Sequence, residues 1–174
     1  MTSGQSAAVA DTFSKEFVIE RVFDAPRDLV WKVFTERDHL MHWWGPKGFK
    51  MIVGNLDLKP GGIFHYGMQA PDGSEMWGKW IFREIVKPER LVFVSSFSDK
   101  DRGLTRHPMA PTWPIEMLGT MTLTEQGSKT LLVNRVVALN ATGEERATFE
   151  GNFESMKQGF GGTWDQLAAY LASL

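Results

Sequence analysis

Between Thr142 and Leu174 the large apolar residues are Phe149, Phe153, Met156, Phe160, Trp164, Leu167 and Leu171, spaced four, three, four, four, three and four apart. At about 100° per residue they fall within roughly ±40° of one line along a helix. Glu150, Glu154, Gln158, Asp165 and Ala169 fall on the far side. Thr142-Gly143-Glu144-Glu145 supplies a start signal, in which the hydroxyl and the later carboxylate each satisfy a free backbone N–H. The spacing predicts one long, one-sided helix over 142–173. Gly151, Gly159, Gly161 and Gly162 lie inside it, each costing about 1 kcal/mol relative to Ala. Burial of the apolar stripe, at about 1.5–3 kcal/mol per side chain, outweighs that cost only when the helix docks on something. Gly159 and Gly161 flank the stripe. Either backbone packs tightly there, or the missing side chains widen a cavity beside Phe160.

The rest of the chain reads as strands and two short helices. Residues 14–23 alternate as a strand. Asp24-Ala25-Pro26 stops it and opens a helix, with Asp24 as cap, Pro26 in the first turn, and Leu29, Val30, Val33 and Phe34 on one face. Glu36 to Trp43 reads as a second helix, ending at Gly45-Pro46. Six strands follow, over 50–58, 63–69, 75–86, 90–98, 115–124 and 129–139, separated by turns such as Lys59-Pro60-Gly61-Gly62 and Pro71-Asp72-Gly73. Short turns make them an antiparallel meander with one face to cover, and the final helix is long enough to cover it. No internal repeat or low-complexity tract interrupts residues 13–174, and residues 1–12 read as a loose tail.

Alternation assigns Phe64, Tyr66 and Met68, then Met76, Gly78, Trp80 and Phe82, then Leu91, Phe93, Ser95 and Phe97, then Met117, Gly119, Met121 and Leu123 to the helix-facing side. Gly78, Ser95 and Gly119 recur among large residues, which leaves gaps for a cavity or accommodates twist and curvature. Residues 99–114 carry five charges, three prolines and the apolar Leu104, Met109 and Trp113 without any period. A loop of that length and composition is either a lid over a cavity or a surface for another protein.

Composition narrows the function classes. The 174 residues suit one domain, and a net charge of −2 leaves no footprint for nucleic acid or an anionic membrane. There is no cysteine, which excludes disulfides, thiolate metal sites and a thiol nucleophile. No apolar run reaches membrane-spanning length and no signal-peptide pattern opens the chain, so a cytoplasmic location is expected. Seven Trp, twelve Phe and nine Met suit a core or an adaptable apolar pocket.

Candidate chemistry is sparse. His39 and His42 are three apart on a short helix, but no third ligand stands at a metal-site spacing, so no metal is expected. His65 alternates with Phe64 and Tyr66 and is expected to point outward. No nucleophile motif, phosphate loop or dinucleotide fingerprint occurs, and no cofactor is expected. Glu116, Asn134 and Arg135 on late strands either reach the cavity or face solvent. Tyr66 is the best inner-face polar candidate. Of Trp43-Trp44, one is expected to pack under the helices and one to line the cavity.

Glu20-Arg21-Val22-Phe23-Asp24-Ala25-Pro26, Trp43-Trp44-Gly45-Pro46, Leu56-Asp57-Leu58-Lys59-Pro60-Gly61-Gly62, Pro71-Asp72-Gly73, Pro88-Glu89-Arg90-Leu91-Val92-Phe93, Met156-Lys157-Gln158-Gly159-Phe160 and Leu167-Ala168-Ala169-Tyr170-Leu171 form an ordered set. Over about residues 14–173 the chain resembles the bacterial single-domain proteins similar to activators of the ninety-kilodalton heat-shock-protein ATPase, within the START-like superfamily. The resemblance implies an α+β helix-grip fold. An antiparallel sheet of about seven strands wraps a long C-terminal helix, with two short helices after the first strand and an internal cavity. That superfamily holds hydrophobic-ligand carriers, polyketide cyclases and chaperone co-activators, so the fold alone leaves function open. The leading expectation is a cytoplasmic protein that binds a small hydrophobic, aromatic or polycyclic ligand through Trp44, Tyr66, Met68, Trp80, Phe93, Phe97, Trp113, Met117, Phe153, Met156 and Phe160. The alternatives are a cyclase- or hydrolase-type enzyme using the same cavity, and a chaperone-activator-like interaction module. A homodimer stays open, and a chaperone partner has no supporting motif.

Overall fold

Period-two alternation and short turns fold the strands as expected. The computed structural model describes residues 14–174, and the tail expected over residues 1–12 lies outside them. The elements in order are β1 (Phe17–Phe23), α1 (Arg27–Thr35), α2 (Arg37–Trp43), β2 (Lys50–Leu56), β3 (Ile63–Gln69), β4 (Glu75–Val86), β5 (Arg90–Ser98), β6 (Leu104–Thr105), β7 (Glu116–Gln126), β8 (Lys129–Leu139), α3 (Gly143–Gly151) and α4 (Phe153–Ala172). The sheet runs β1-β8-β7-β5-β4-β3-β2, antiparallel throughout, with β6 paired to the end of β5. This is the helix-grip arrangement.

The inner face buries Phe64, Trp80, Phe82, Leu91, Leu123 and Leu132 in one cluster with Val30, Val33 and Phe34 of α1 and Trp164, Leu167 and Leu171 of α4. Each such side chain contributes about 1.5–3 kcal/mol relative to exposure, and this burial holds the glycine-containing helix in place. A second, smaller cluster joins Phe17, Val136, Ala138 and Phe149 at the start of the helical segment. Among the described residues no helix is long and apolar enough to cross a membrane.

The expected single C-terminal helix is two. Asn152 leaves helical geometry (φ −111°, ψ 18°), and its side-chain N–H donates to Thr148 O at 2.6 Å. Gly151 beside it is a poor helix former, and an Asn side chain competes for backbone partners, so the pair interrupts the helix. Apolar spacing could not show this because the stripe keeps its phase across the break. The start signal behaves as read: Thr142 Oγ1 accepts from Glu145 N at 3.1 Å, while Glu145 Oε1 accepts from Thr142 N at 2.9 Å.

The start of α1 differs from expectation. Asp24 does not cap it. Pro26 is the cap residue, in extended geometry with no side-chain bond, and its carbonyl takes the first helical N–H groups. Proline's fixed φ suits this position and leaves no N–H to satisfy. Four strand ends also shift, by up to three residues: β1 starts at Phe17, β2 stops at Leu56, and β7 spans Glu116–Gln126.

Candidate functional site

The apolar stripe of α3 and α4 is anchored at its ends and open in its middle. Phe149, Trp164, Leu167 and Leu171 are buried, whereas Met156 and Phe160 between them are half-buried. In front of them lies a pocket of about 420 Å³, bounded by the inner sheet face, α4, the Trp44–Pro46 turn and the loop between β6 and β7. Trp80 and Phe93 form its floor, stacked at 4.4 Å between ring centroids, and Trp44 stands edge-on to Trp80 at 4.8 Å.

The small inner-face residues seat these rings. A Cβ at Gly78 would lie 2.5 Å from Tyr66 Oη, and one at Gly119 would lie 3.2 Å from Phe93. Gly159 and Gly161 differ: a Cβ at either meets no heavy atom within 4 Å, which rules out the tight-packing reading. Gly159 borders the pocket, and Gly161 does not.

Of the eleven residues picked as ligand contacts, Trp44, Tyr66, Met68, Trp80, Phe93, Phe97, Trp113, Met117, Met156 and Phe160 border this pocket. Phe153 does not. It packs on Phe17 at 5.5 Å and Phe149 at 5.3 Å in the smaller cluster, because the turn at Asn152 tips it toward β1. Trp43 is buried beneath the helices, its indole N–H donating to Val33 O at 3.0 Å. Only Trp44 of the pair faces the pocket.

Charge is absent from the lining, which contains no Asp, Glu, Lys or Arg. Burial pushes the Tyr66 phenol up to about 12; the indoles of Trp44 and Trp80 pull the other way, but neither is aligned for a hydrogen bond to it, and Trp44 Nε1 has no partner among the described residues. His107 is held below its ordinary value by burial and is neutral at pH 7. Its Nδ1 accepts from Met109 N at 3.0 Å, so the neutral ring carries its proton on Nε2. Asn134 is 5 % exposed, lines the pocket from β8, and has no side-chain hydrogen bond among the described residues. Glu116 and Arg135, weighed with it, stay outside the lining, and Arg135 reaches outward to Glu16 at 2.6 Å.

Sequence reasoning weighed Asn134 without deciding, placed Met76 and Met121 on the inner face without naming them as ligand contacts, and passed over His107; all four line the pocket. Register with Leu132 and Val136 was the usable signal for Asn134. His107 had none, because it sits in an aperiodic loop. That loop crosses the pocket with His107, Ala110 and Trp113, and is tied down by Arg106 to Glu145 at 3.0 Å and by Thr112 to Thr148 at 2.9 Å. Leu104 and Met109, expected to seek a partner, are instead exposed, Met109 at 88 %.

The other histidines do separate work. His39 meets Tyr170 Oη at 2.6 Å, and His42 stacks on the Tyr170 ring at 5.1 Å. His65 projects from the outer face but is buried, stacked on Trp77 and paired with Asp99 O at 3.1 Å. The Asp99–Arg102 turn covers it, and Lys79 Nζ donates to Arg102 O there at 2.8 Å.

Residues 24–172 match the family model described as "Activator of Hsp90 ATPase homolog 1-like protein". The chain belongs to this family. As one of the Activator of Hsp90 ATPase homolog 1-like proteins, it falls in a wider START-like group that commonly binds hydrophobic ligands. Its fold is that of protein Ms6760 from Mycobacterium smegmatis, at 24% identity and TM-score 0.71 over 90% of each chain. A protein from Arthrobacter aurescens is similar at 24% identity and TM-score 0.75, over 92% of this chain and 88% of its own. Protein NE0264 from Nitrosomonas europaea is similar at 26% identity and TM-score 0.69, over 91% and 94%. No curated protein matches the sequence.

Proposed function

We propose that this protein binds a small hydrophobic, ring-containing ligand in the pocket between sheet and α4, and does so in the cytoplasm. The observation that carries the reading is the half-buried state of Phe93, Phe97, Met117, Met156 and Phe160 around one charge-free space. Large apolar side chains lose about 1.5–3 kcal/mol each when they stay in contact with water, and a ring-containing ligand recovers part of that. The wider group's common binding of hydrophobic ligands supports the same reading.

His107 favours a second reading, acid–base catalysis in the same pocket. Against it, Nδ1 is occupied by Met109 N, and no carboxylate of the lining orients the ring. Ser95 sits on the inner face and lines the pocket, so Ser95→Phe fills the space from the floor. Titration with trans-stilbene, followed by its own fluorescence, should show binding weakened by more than about tenfold in that variant while its Tm is retained. Unchanged binding in a folded Ser95→Phe protein contradicts the proposal.

A further inference from the structure

Two polar side chains of the pocket, Tyr66 and Asn134, lie far apart. Tyr66 is 8 % exposed and Asn134 5 %; both line the pocket, and neither side chain has a hydrogen-bond partner among the described residues. Tyr66 stands on β3 and Asn134 on β8, with β4, β5 and β7 between them. Their registers differ as well. The row of Tyr66 passes through Gly78 to Phe97, and the row of Asn134 through Met121 to Leu91. Four strand spacings of about 4.8 Å separate them along the curled sheet, so one hydroxyl cannot serve both.

Between these two poles the lining is mostly apolar, with the stacked Trp80–Phe93 pair in the middle. Its other polar groups include Ser95, His107 and the indole N–H groups of Trp44, Trp113 and Trp164, these three unpartnered among the described residues. A phenol and a primary amide each offer a donor and an acceptor, which suits a hydroxyl or carbonyl. A charged group would have to leave water with nothing of opposite sign to meet it.

Resting on the ligand-binding reading above, we infer that the pocket selects an uncharged aromatic or polycyclic molecule with one hydrogen-bonding oxygen at each end, held by Tyr66 at one pole and Asn134 at the other. Carboxylate-bearing lipids are thereby disfavoured. The two poles fix orientation, and the rings supply affinity.

Four stilbenes test this: the plain hydrocarbon, the analogue with one ring hydroxylated, the analogue with a hydroxyl on each ring, and the analogue with a carboxylate replacing one hydroxyl. The diol should bind the protein about tenfold more tightly than the mono-hydroxylated analogue, and the carboxylate more weakly than either, by about tenfold or more. Tyr66→Phe and Asn134→Leu should each lower the diol's affinity relative to that of the plain hydrocarbon, measured on the same variant, by about tenfold. Equal affinities across the series, tight carboxylate binding, or a diol preference that survives both substitutions overturns the inference. The series on the unaltered protein decides the matter even if a variant fails to fold. A failure confined to the hydroxyl preference leaves the sensitivity to Ser95→Phe intact. If that sensitivity is also absent, or no stilbene binds, the ligand-site reading falls with it.

Discussion

Gly161 lies on α4 in open space, where a Cβ would meet no heavy atom within 4 Å. Its weak helix propensity is therefore uncompensated by any close approach. Gly161→Ala should raise stability by about 1 kcal/mol, read as a higher urea midpoint at unchanged m-value. A lower midpoint would mean that the helix needs glycine there for a reason the packing does not show. Gly78 makes the opposite case, because Tyr66 Oη occupies the place of its missing side chain. The two positions look alike in sequence. What lies over a glycine is set by a strand or helix distant in the chain, so only the fold separates them. Asn134 was nearer to legible: its register with the apolar Leu132 and Val136, which the reading left unused, points it inward. Its lack of a partner could not be read, since that depends on four neighbouring strands.

The N-terminus of α3 couples two elements through Glu145. The residue closes the capping box with Thr142 and pairs with Arg106 of the loop that crosses the pocket. Its carboxyl is held below the ordinary value of 4.5, first by the Thr142 backbone N–H and also by Arg106. A folded-state value below the unfolded one contributes stability above the unfolded value, and that contribution is lost as pH falls through the folded value. Glu145→Gln should therefore be less stable than the unaltered protein at neutral pH, by about 1 kcal/mol, with the gap closing as pH drops well below 4.5. Amide exchange over residues 106–113 should also speed up in the variant. A pH-independent gap, or unchanged exchange, contradicts this coupling. At this scale the capping box was written in four adjacent residues and could be read. The break at Asn152 and the path of residues 99–114 could not. One keeps the apolar phase, and the other has no phase at all.

For the molecule as a whole, alternation and turn chemistry sufficed for the six-strand meander and for the helix covering the sheet, because both are local patterns repeated over many residues; the pairing of β1 with β8 joins chain ends far apart and was not read. The pocket was legible only as a face. Eight of its lining residues fell out of the alternation and the helical stripe, Trp44 and Trp113 came from outside both patterns, and Phe153, equally periodic, turned away at the helix break. The nine methionines give the most direct test of the central claim that this space receives a hydrophobic ligand. Met68, Met76, Met117, Met121 and Met156 line it, whereas Met41, Met51 and Met109 do not. In a titration of methyl-labelled protein with trans-stilbene, followed by NMR, the five pocket methyl signals should move together and saturate at one equivalent, with Met41, Met51 and Met109 still. Shifts centred on the exposed Met109, or spread evenly over all the described methionines, would contradict the account.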